Sequence, residues 1–293
     1  TGLIQAANNG FSFGDNDTPV TLGGSVTSPG SQSYGGTVSL VGGTTLNATS
    51  GGSTIFFGGT VNGGGQSLTL NLVSGSATFN GLVGFTSTLA SFSSGGGTVN
   101  LNGGGVTTSG SQTYGALSLG AHTGLTASTG NISLGVVTGN SKNLFLNSGT
   151  GAISGSSMSG VGTLYLQGSG TASFSGNVSA TSLDLTGKTA GAATFSNGLS
   201  ATSLTTGTGA YGLSLSGTTT VANAATFGNT GMVTFGNGGS ILTFTGGLTA
   251  TAPSLVNLGG TLRSAAQPIA LGSVFLTNPS TIDTTNNGAS AAG

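Results

Sequence analysis

The stretch Ser173-Phe-Ser-Gly-Asn-Val-Ser-Ala-Thr-Ser-Leu183 returns further along the chain as Thr194-Phe-Ser-Asn-Gly-Leu-Ser-Ala-Thr-Ser-Leu204, and a weaker copy runs from Thr243 to Leu255. The copies alternate apolar and polar side chains, which is the periodicity of a β-strand with one buried face. Turn signals such as Asn197-Gly198 lie between the strands. A recurring unit of short strands and turns is typical of a solenoid, in which each coil buries the apolar face of its neighbour.

Regularly spaced apolar residues extend this period through the middle of the chain. Leucines recur at a nearly constant spacing, at 144 and 146, 164 and 166, 183 and 185, and then 204. A second apolar position recurs at an equally regular spacing, at Ile153, Phe174 and Phe195. If equivalent positions stack, we expect these last three residues to share one interior column.

A longer repeat overlies the short one. Val26-Thr-Ser-Pro-Gly-Ser-Gln-Ser-Tyr34 recurs as Val106-Thr-Thr-Ser-Gly-Ser-Gln-Thr-Tyr114, a shift of about four coils. We therefore predict an all-β protein, a right-handed parallel β-helix with about 20 residues per coil. It is expected to run as one elongated solenoid over residues 1–293 without a domain boundary. Residues 285–293 are expected to form a loose tail or a link to further repeats.

The charge content supports a stacked architecture. Only 2% of the residues are charged, and no glutamate occurs, whereas an ordinary soluble domain is about 25% charged. In a parallel sheet, a charge repeated at one coil position would face its copy at about 4.8 Å. That repulsion costs roughly 1 kcal/mol in water, and ~3–4 kcal/mol at an effective dielectric constant near 20. Neutral Ser, Thr and Asn stack without this cost and can hydrogen-bond along the column.

Composition also excludes several kinds of partner and site. Three basic residues cannot neutralise enough phosphates for nucleic-acid binding. The chain has no cysteine, which excludes disulfides, thiolate metal sites and cysteine nucleophiles. No apolar run long enough to cross a bilayer occurs, so no transmembrane helix is expected. The net charge of −1 provides no field that would steer a charged ligand.

Two segments resemble a recurring element of large bacterial exoproteins, Ser53-Thr-Ile-Phe-Phe-Gly-Gly-Thr-Val-Asn-Gly-Gly-Gly-Gln-Ser-Leu-Thr-Leu-Asn71 and Gly110-Ser-Gln-Thr-Tyr-Gly-Ala-Leu-Ser-Leu119. In this respect the chain resembles filamentous-haemagglutinin-like proteins and autotransporter passenger regions. The resemblance implies a β-helix at the cell surface that serves as an adhesin, stalk or fibre and is secreted through an outer-membrane transporter. Some relatives carry sugar on Asn-x-Ser/Thr, a pattern that occurs here at Asn16, Asn47, Asn131 and Asn177.

Few side chains could carry chemistry. Asp15 and Asp17 form the closest acidic pair, which we interpret as a solvated turn, with a weak calcium site as the alternative. His122 is the single histidine, and its distance along the repeat from Asp184 argues against a Ser–His–Asp set. Asp184 and Lys188 are expected to form a local surface ion pair.

The remaining candidates also favour a structural interpretation. Arg263 is expected to stand alone. The phenylalanines are expected to stack in the interior rather than form a sugar-binding platform, at positions 79, 145, 174, 195, 227, 235, 244 and 275. Thr-x-Thr pairs do not follow the coil period, which argues against an ice-binding face. We therefore assign no catalytic, cofactor-binding or metal-binding residue.

The sequence predicts a non-enzymatic, secreted structural or adhesive β-solenoid, a stalk or filament subunit of an extracellular fibre. Without charged caps, both solenoid ends would expose strand edges and apolar cross-sections, so we expect end-to-end association or continuation into further repeats. The alternative is a lectin-like surface adhesin that binds host or cell-surface glycans. A polysaccharide-acting β-helix enzyme is a weaker alternative, since such chemistry needs a clustered acid and base.

Overall fold

The computed structural model describes residues 4–5, 11–13 and 19–286, and places strands but no helix among them. The chain divides into two compact units, Thr1–Gly151 and Ala152–Gly293. In each unit short strands pair in parallel with the strands of the preceding and following coils. The predicted all-β fold, a parallel β-solenoid with coils of about 20 residues, is therefore confirmed. The expectation of one solenoid without a domain boundary stays a prediction.

The described residues of the first unit form sixteen strands. They are β1 (Ile4–Gln5), β2 (Phe11–Phe13), β3 (Val20–Ser28), β4 (Gln32–Tyr34), β5 (Val38–Ala48), β6 (Thr54–Phe57), β7 (Val61–Asn62), β8 (Leu68–Leu72), β9 (Ser76–Phe79), β10 (Phe92–Gly95), β11 (Thr98–Leu101), β12 (Gly105–Thr108), β13 (Gln112–Leu119), β14 (Thr123–Ala127), β15 (Ile132–Thr138) and β16 (Leu144–Asn147). One column of pairing runs β3–β5–β8–β10–β13–β15 and a second runs β4–β6–β9–β11–β13–β15. A third column contains β12–β14–β16, so each coil has three sides.

The second unit repeats this plan, with seventeen strands among its described residues. They are β17 (Ile153–Gly155), β18 (Met158–Gln167), β19 (Ala172–Phe174), β20 (Asn177–Leu185), β21 (Ala192–Phe195), β22 (Gly198–Thr206), β23 (Gly212–Leu215), β24 (Thr218–Val221), β25 (Ala225–Thr226), β26 (Val233–Phe235), β27 (Ile241–Phe244), β28 (Leu248–Ala250), β29 (Val256–Leu258), β30 (Thr261–Arg263), β31 (Ile269–Leu271), β32 (Val274–Leu276) and β33 (Thr281–Asp283). Its three columns are β17–β19–β21–β23–β26–β29–β32, β18–β20–β22–β24–β27–β30–β33, and β22–β25–β28–β31.

Coil length varies around the predicted value because the turns differ in length. The step between coils is short where Val20 pairs with Val38 and longer where Thr45 pairs with Thr69. Along most strands between β3 and β30 alternate residues are buried, and the buried ones stack on their counterparts, as Leu46 does on Leu70 of the next coil. The core of each unit is thus the narrow interior of its coils, covered only when a further coil lies on top.

The register of the second unit confirms the leucine period. It confirms the predicted column of Ile153, Phe174 and Phe195 only in part. Leu183 pairs with Leu204, and Phe174 pairs with Phe195. The prediction for Ile153 was wrong, because Ile153 pairs with Ala172 and Gly155 takes the position facing Phe174. A Cβ on Gly155 would lie 2.7 Å from the Phe174 ring, so the glycine makes room for that ring.

Aromatic rings line the interior of both units. In the first unit the rings of Tyr34, Phe57, Phe79, Phe92 and Tyr114 follow one another with centroid separations of 5.3, 4.5, 5.9 and 5.0 Å. Such separations are those of favourable aromatic pairs. Because every ring contacts the next, the aromatic series links successive coils across the sheet columns.

Glycine is required where backbone segments of successive coils approach closely. A Cβ on Gly135 would lie 1.6 Å from the carbonyl oxygen of Gly115 on the preceding coil. No side chain fits there unless the backbone moves. By contrast, a Cβ on Gly124 would meet no atom within 4 Å. The abundance of glycine therefore has a packing origin at some positions and not at others.

Candidate functional site

The outer faces of the coils carry ladders of neutral polar side chains, as the low charge content predicts. Asn47 Nδ2 donates to Thr27 Oγ1 at 3.0 Å on the preceding coil, and Asn71 Nδ2 donates to Asn47 Oδ1 at 2.8 Å from the following one. Asn102 Nδ2 likewise donates to Asn80 Oδ1 at 2.9 Å. These hydrogen bonds run along the stack, so the side chains stabilise the sheet and turn fewer polar groups towards a ligand.

The most distinctive motif of the longer repeat is buried and structural. Gln112 and Tyr114 both face the interior, and the Tyr114 hydroxyl donates to Gln112 Oε1 at 2.9 Å. Gln112 Nε2 in turn donates to the carbonyl oxygen of Thr126 at 2.8 Å. Desolvation by burial raises the pKa of the Tyr114 hydroxyl well above its ordinary value. A buried, neutral, fully bonded pair of this kind holds two sides of a coil together and is closed to a substrate.

The candidate acid and base residues that the structure describes each have local partners. Asp15 and Asp17 lie outside the described residues. His122 belongs to the first unit, where its Nδ1 accepts a hydrogen bond from the Asn143 amide at 3.0 Å. Asp184 belongs to the second unit, and one of its oxygens accepts from the Thr186 amide and hydroxyl at 2.8 and 2.6 Å. Within the described part of the chain, no three His, Cys, Asp or Glu residues approach closely enough to hold a metal ion.

The predicted ion pair between Asp184 and Lys188 was wrong. The Asp184 carboxylate caps its own turn, while the Lys188 side chain folds inward and is only 2% exposed. Lys188 Nζ donates to the carbonyl oxygen of Gly170 on the preceding coil. Desolvation by this burial lowers the pKa of Lys188. A long apolar stem allows lysine to be accommodated in this way, with its amine satisfied by a backbone carbonyl.

Arg263 was also predicted incorrectly, since it does not stand alone. It lies on β30 directly beneath Asp283 of β33, and its Nε lies 3.3 Å from Asp283 Oδ2. Both side chains are partly buried. The pair therefore places opposite charges at equivalent positions of adjacent coils, the arrangement in which Coulomb attraction replaces the repulsion of like charges.

Most of the candidate phenylalanines are interior, but two are not. Six of the eight are at most 1% exposed: Phe79, Phe174, Phe195, Phe227, Phe235 and Phe244. The interior interpretation was wrong for Phe145 and Phe275. Phe145 is half-buried on the outer side of β16, and Phe275 is 59% exposed on β32. Each is flanked by two inward-facing residues of its strand, so alternation turns its ring outward.

In the last described coil of the second unit, side chains are exposed at positions that are buried in the preceding coils. We call the strands β31, β32 and β33 the last coil. Val256 and Leu258 are buried, but Val274 and Leu276, their partners on β32, are 43% and 62% exposed. Ile282 on β33 is 52% exposed. None of the described residues covers these side chains.

Comparisons with known proteins identify no relative. No family model matches the chain, no curated protein matches it, and no solved structure matches it. The resemblance to filamentous-haemagglutinin-like proteins therefore stays a prediction. In the described residues no helix is long and apolar enough to cross a membrane.

Proposed function

We propose that this chain is a non-enzymatic structural β-solenoid of an extracellular or cell-surface fibre, and that the open cross-section of its last described coil is covered by a further coil, either of a second copy or of repeats that continue it. The single observation that carries the proposal is the exposure of Val274, Leu276 and Ile282 at positions that are buried in earlier coils. Large exposed apolar surfaces in soluble proteins mark interaction sites. The apolar cross-section is matched in shape to a further coil of the same kind, because every coil beneath already packs in this way.

The strand edges of the last coil support the same association. In the described residues, β31, β32 and β33 pair on one side only, with β28, β29 and β30. Unpaired parallel edges are templates for another strand. The charged residue of this coil, Asp283, faces outward and pairs with Arg263, so it does not block the cross-section. A second copy that adds its strands to these edges would satisfy both the backbone and the apolar side chains.

A structural role also agrees with the distribution of ionisable groups. Proton-transfer chemistry needs an acid and a base positioned on one substrate. Among the described residues, His122, Asp184, Lys188 and Asp283 each engage their own local partners. Secretion and display at the cell surface are part of the proposal and are supported by the resemblance of the 53–71 and 110–119 segments to bacterial exoproteins.

The proposal is tested by the size of the assemblies that the full chain forms. Leu276→Asp places a charge in the exposed cross-section and is expected to abolish concentration-dependent assembly, measured by sedimentation velocity and electron microscopy. Phe275→Asp is the matched control, because Phe275 is the neighbouring exposed apolar residue but faces outward. A wild-type chain that stays monomeric at every concentration, or equal assembly by both variants, would contradict the proposal.

A further inference from the structure

One concavity of the second unit takes no part in the stacking of the last coil. It lies on the outer side of β20, β22 and β24 and has a volume of about 490 Å³, which is within the range of small-molecule sites. We call it the β22 groove. Six polar side chains line it: Asn177, Ser179, Asn197, Ser200, Thr218 and Thr220.

A glycine opens the β22 groove. Asn177, Gly198 and Thr218 occupy equivalent outward positions of three successive coils. The first and the third of these residues are exposed, and Gly198 between them is buried. A Cβ on Gly198 would lie 2.9 Å from Asn177 Oδ1 and 3.1 Å from the Thr218 carbonyl oxygen. Even the smallest side chain at position 198 would therefore push Asn177 or Thr218 aside, so glycine maintains the shape of the groove.

The polar groups of the β22 groove are available to a ligand. All six side chains are exposed, and within the described residues none donates or accepts a hydrogen bond through its side chain. Some outward side chains elsewhere are hydrogen-bonded to one another, as where Asn223 Nδ2 donates to Ser203 Oγ at 2.9 Å on the next side of the same coils. The ladders close upon themselves, whereas the groove presents four hydroxyls and two amides with unused donors and acceptors.

The charges around the β22 groove limit the ligand to a neutral one. None of the six lining side chains is ionisable. The column that contains Ser200 and Thr220 continues through Thr243 to Arg263, and that cation already pairs with Asp283. An anionic or cationic ligand would lose water without gaining a counter-charge, which is unfavourable.

We propose that the β22 groove binds a neutral, hydroxyl-rich oligosaccharide. Such a ligand offers alternating donors and acceptors to the hydroxyl and amide groups on three coils, and the open shape of the groove accepts a chain segment that continues beyond it. The threonine methyl groups provide apolar contact for the carbon faces of a sugar ring. This binding does not depend on end-to-end association, because the groove lies three coils away from the last coil along its column.

The test measures binding of the full chain to neutral tetrasaccharides of glucose, galactose, mannose and N-acetylglucosamine by isothermal titration calorimetry. At least one is expected to bind saturably. Each lost hydrogen bond weakens binding by a factor of about 2–13, so the double variant Thr218→Val/Thr220→Val is expected to bind roughly tenfold or more weakly. Valine keeps the β-branched shape of threonine and its preference for strands.

The matched control is the double variant Thr202→Val/Thr205→Val, which removes two exposed hydroxyls from β22 outside the groove and is expected to bind as the wild type does. Circular dichroism verifies that both variants are folded. The proposal is overturned if no neutral tetrasaccharide binds at millimolar concentration, if tetragalacturonate alone binds, or if the control variant loses as much affinity as the groove variant.

Discussion

The Tyr34 hydroxyl donates a hydrogen bond to Gln32 Oε1 at 2.9 Å, and the same bond recurs in the second copy of the longer repeat between Tyr114 and Gln112, also at 2.9 Å. All four side chains are at most 2% exposed. The first glutamine donates to the carbonyl oxygen of Asn47, as the second does to that of Thr126. The long repeat of the sequence thus repeats one buried hydrogen-bonded pair, a tyrosine and a glutamine, and the glutamine links two sides of the solenoid through a backbone carbonyl.

Loss of the Gln112 side chain should lower the free energy of unfolding more than loss of the Tyr114 hydroxyl does. Gln112→Leu leaves the buried Tyr114 hydroxyl without an acceptor, and each such group costs about 1–3 kcal/mol. We expect a loss of roughly 2–4 kcal/mol in the free energy of unfolding, measured by urea denaturation. Tyr114→Phe should cost less, about 1–2 kcal/mol, since it leaves only Gln112 Oε1 without its donor while Gln112 Nε2 keeps its bonds to backbone carbonyls. Equal losses would show that the hydroxyl needs no partner.

Two glycines of the first unit, Gly124 and Gly135, should respond in opposite directions to the same substitution. Gly135→Ala forces a methyl group onto the Gly115 carbonyl oxygen and should destabilise the protein by about 1–3 kcal/mol or more, as overpacking does. Gly124→Ala meets no atom within 4 Å and should be neutral or stabilising by up to ~1 kcal/mol, because alanine loses less backbone entropy on folding. Thermal unfolding of the two variants compares them directly. A destabilised Gly124→Ala would argue against the close-approach explanation.

The scarcity of charge can be tested with a double-mutant cycle on one outer column. Thr45 and Thr69 are paired on adjacent coils, so Asp at both positions should show an unfavourable coupling of about 1 kcal/mol, more if the site is poorly hydrated. Lys at position 45 with Asp at position 69 should couple with the opposite sign. Chemical denaturation at low salt yields both couplings, and added salt should reduce them. Couplings of zero in both cycles would refute the stacking explanation.

Burial of Lys188 should make stability depend on pH. Because its pKa is lowered in the folded state, the unfolded chain binds more protons between that pKa and the ordinary value of about 10.4. Stability contributed by this position therefore rises with pH in that window and is smallest below it. Relative to Lys188→Met, the wild-type chain should gain stability between pH 7 and about pH 10.5 in urea denaturation. Comparison with one variant cancels the ionisation of the tyrosines.

Lys142→Met is the control for this experiment, since Lys142 is a half-buried lysine of the first unit. A pH-independent difference between the wild-type chain and Lys188→Met would contradict the assignment of an unfavourable environment to the Lys188 ammonium.

The repeat and the alternation were sufficient to predict parallel stacked strands, because both are periodic properties of the sequence. The register between successive coils was harder to predict from the sequence. Ile153 was assigned to the wrong column because turn lengths vary. A glycine that makes room for a ring, such as Gly155 facing Phe174, cannot be recognised from the pattern of apolar residues. The burial of the Lys188 side chain could not be predicted either, because a position in a turn does not determine the direction of a flexible side chain.

The two surfaces proposed for function, the last coil and the β22 groove, also differ in how far the sequence predicts them. The sequence predicted apolar cross-sections at solenoid ends in general, whereas the exposure of Val274, Leu276 and Ile282 was found only in the structure. The β22 groove depends on a glycine that falls between two polar residues of adjacent coils. That relation appears only when the register is known to one residue, because a shift by one would turn the same side chains inward.

The pairing of Arg263 with Asp283 has a consequence for how such a chain can change during evolution. A single substitution that introduces an ion on an outer column gains no counter-ion there, whereas a companion of opposite sign one coil away supplies one. Charged residues should therefore be gained and lost as couples one coil apart, as these two are. In an alignment of natural variants, that covariation would reveal the coil register without any structure.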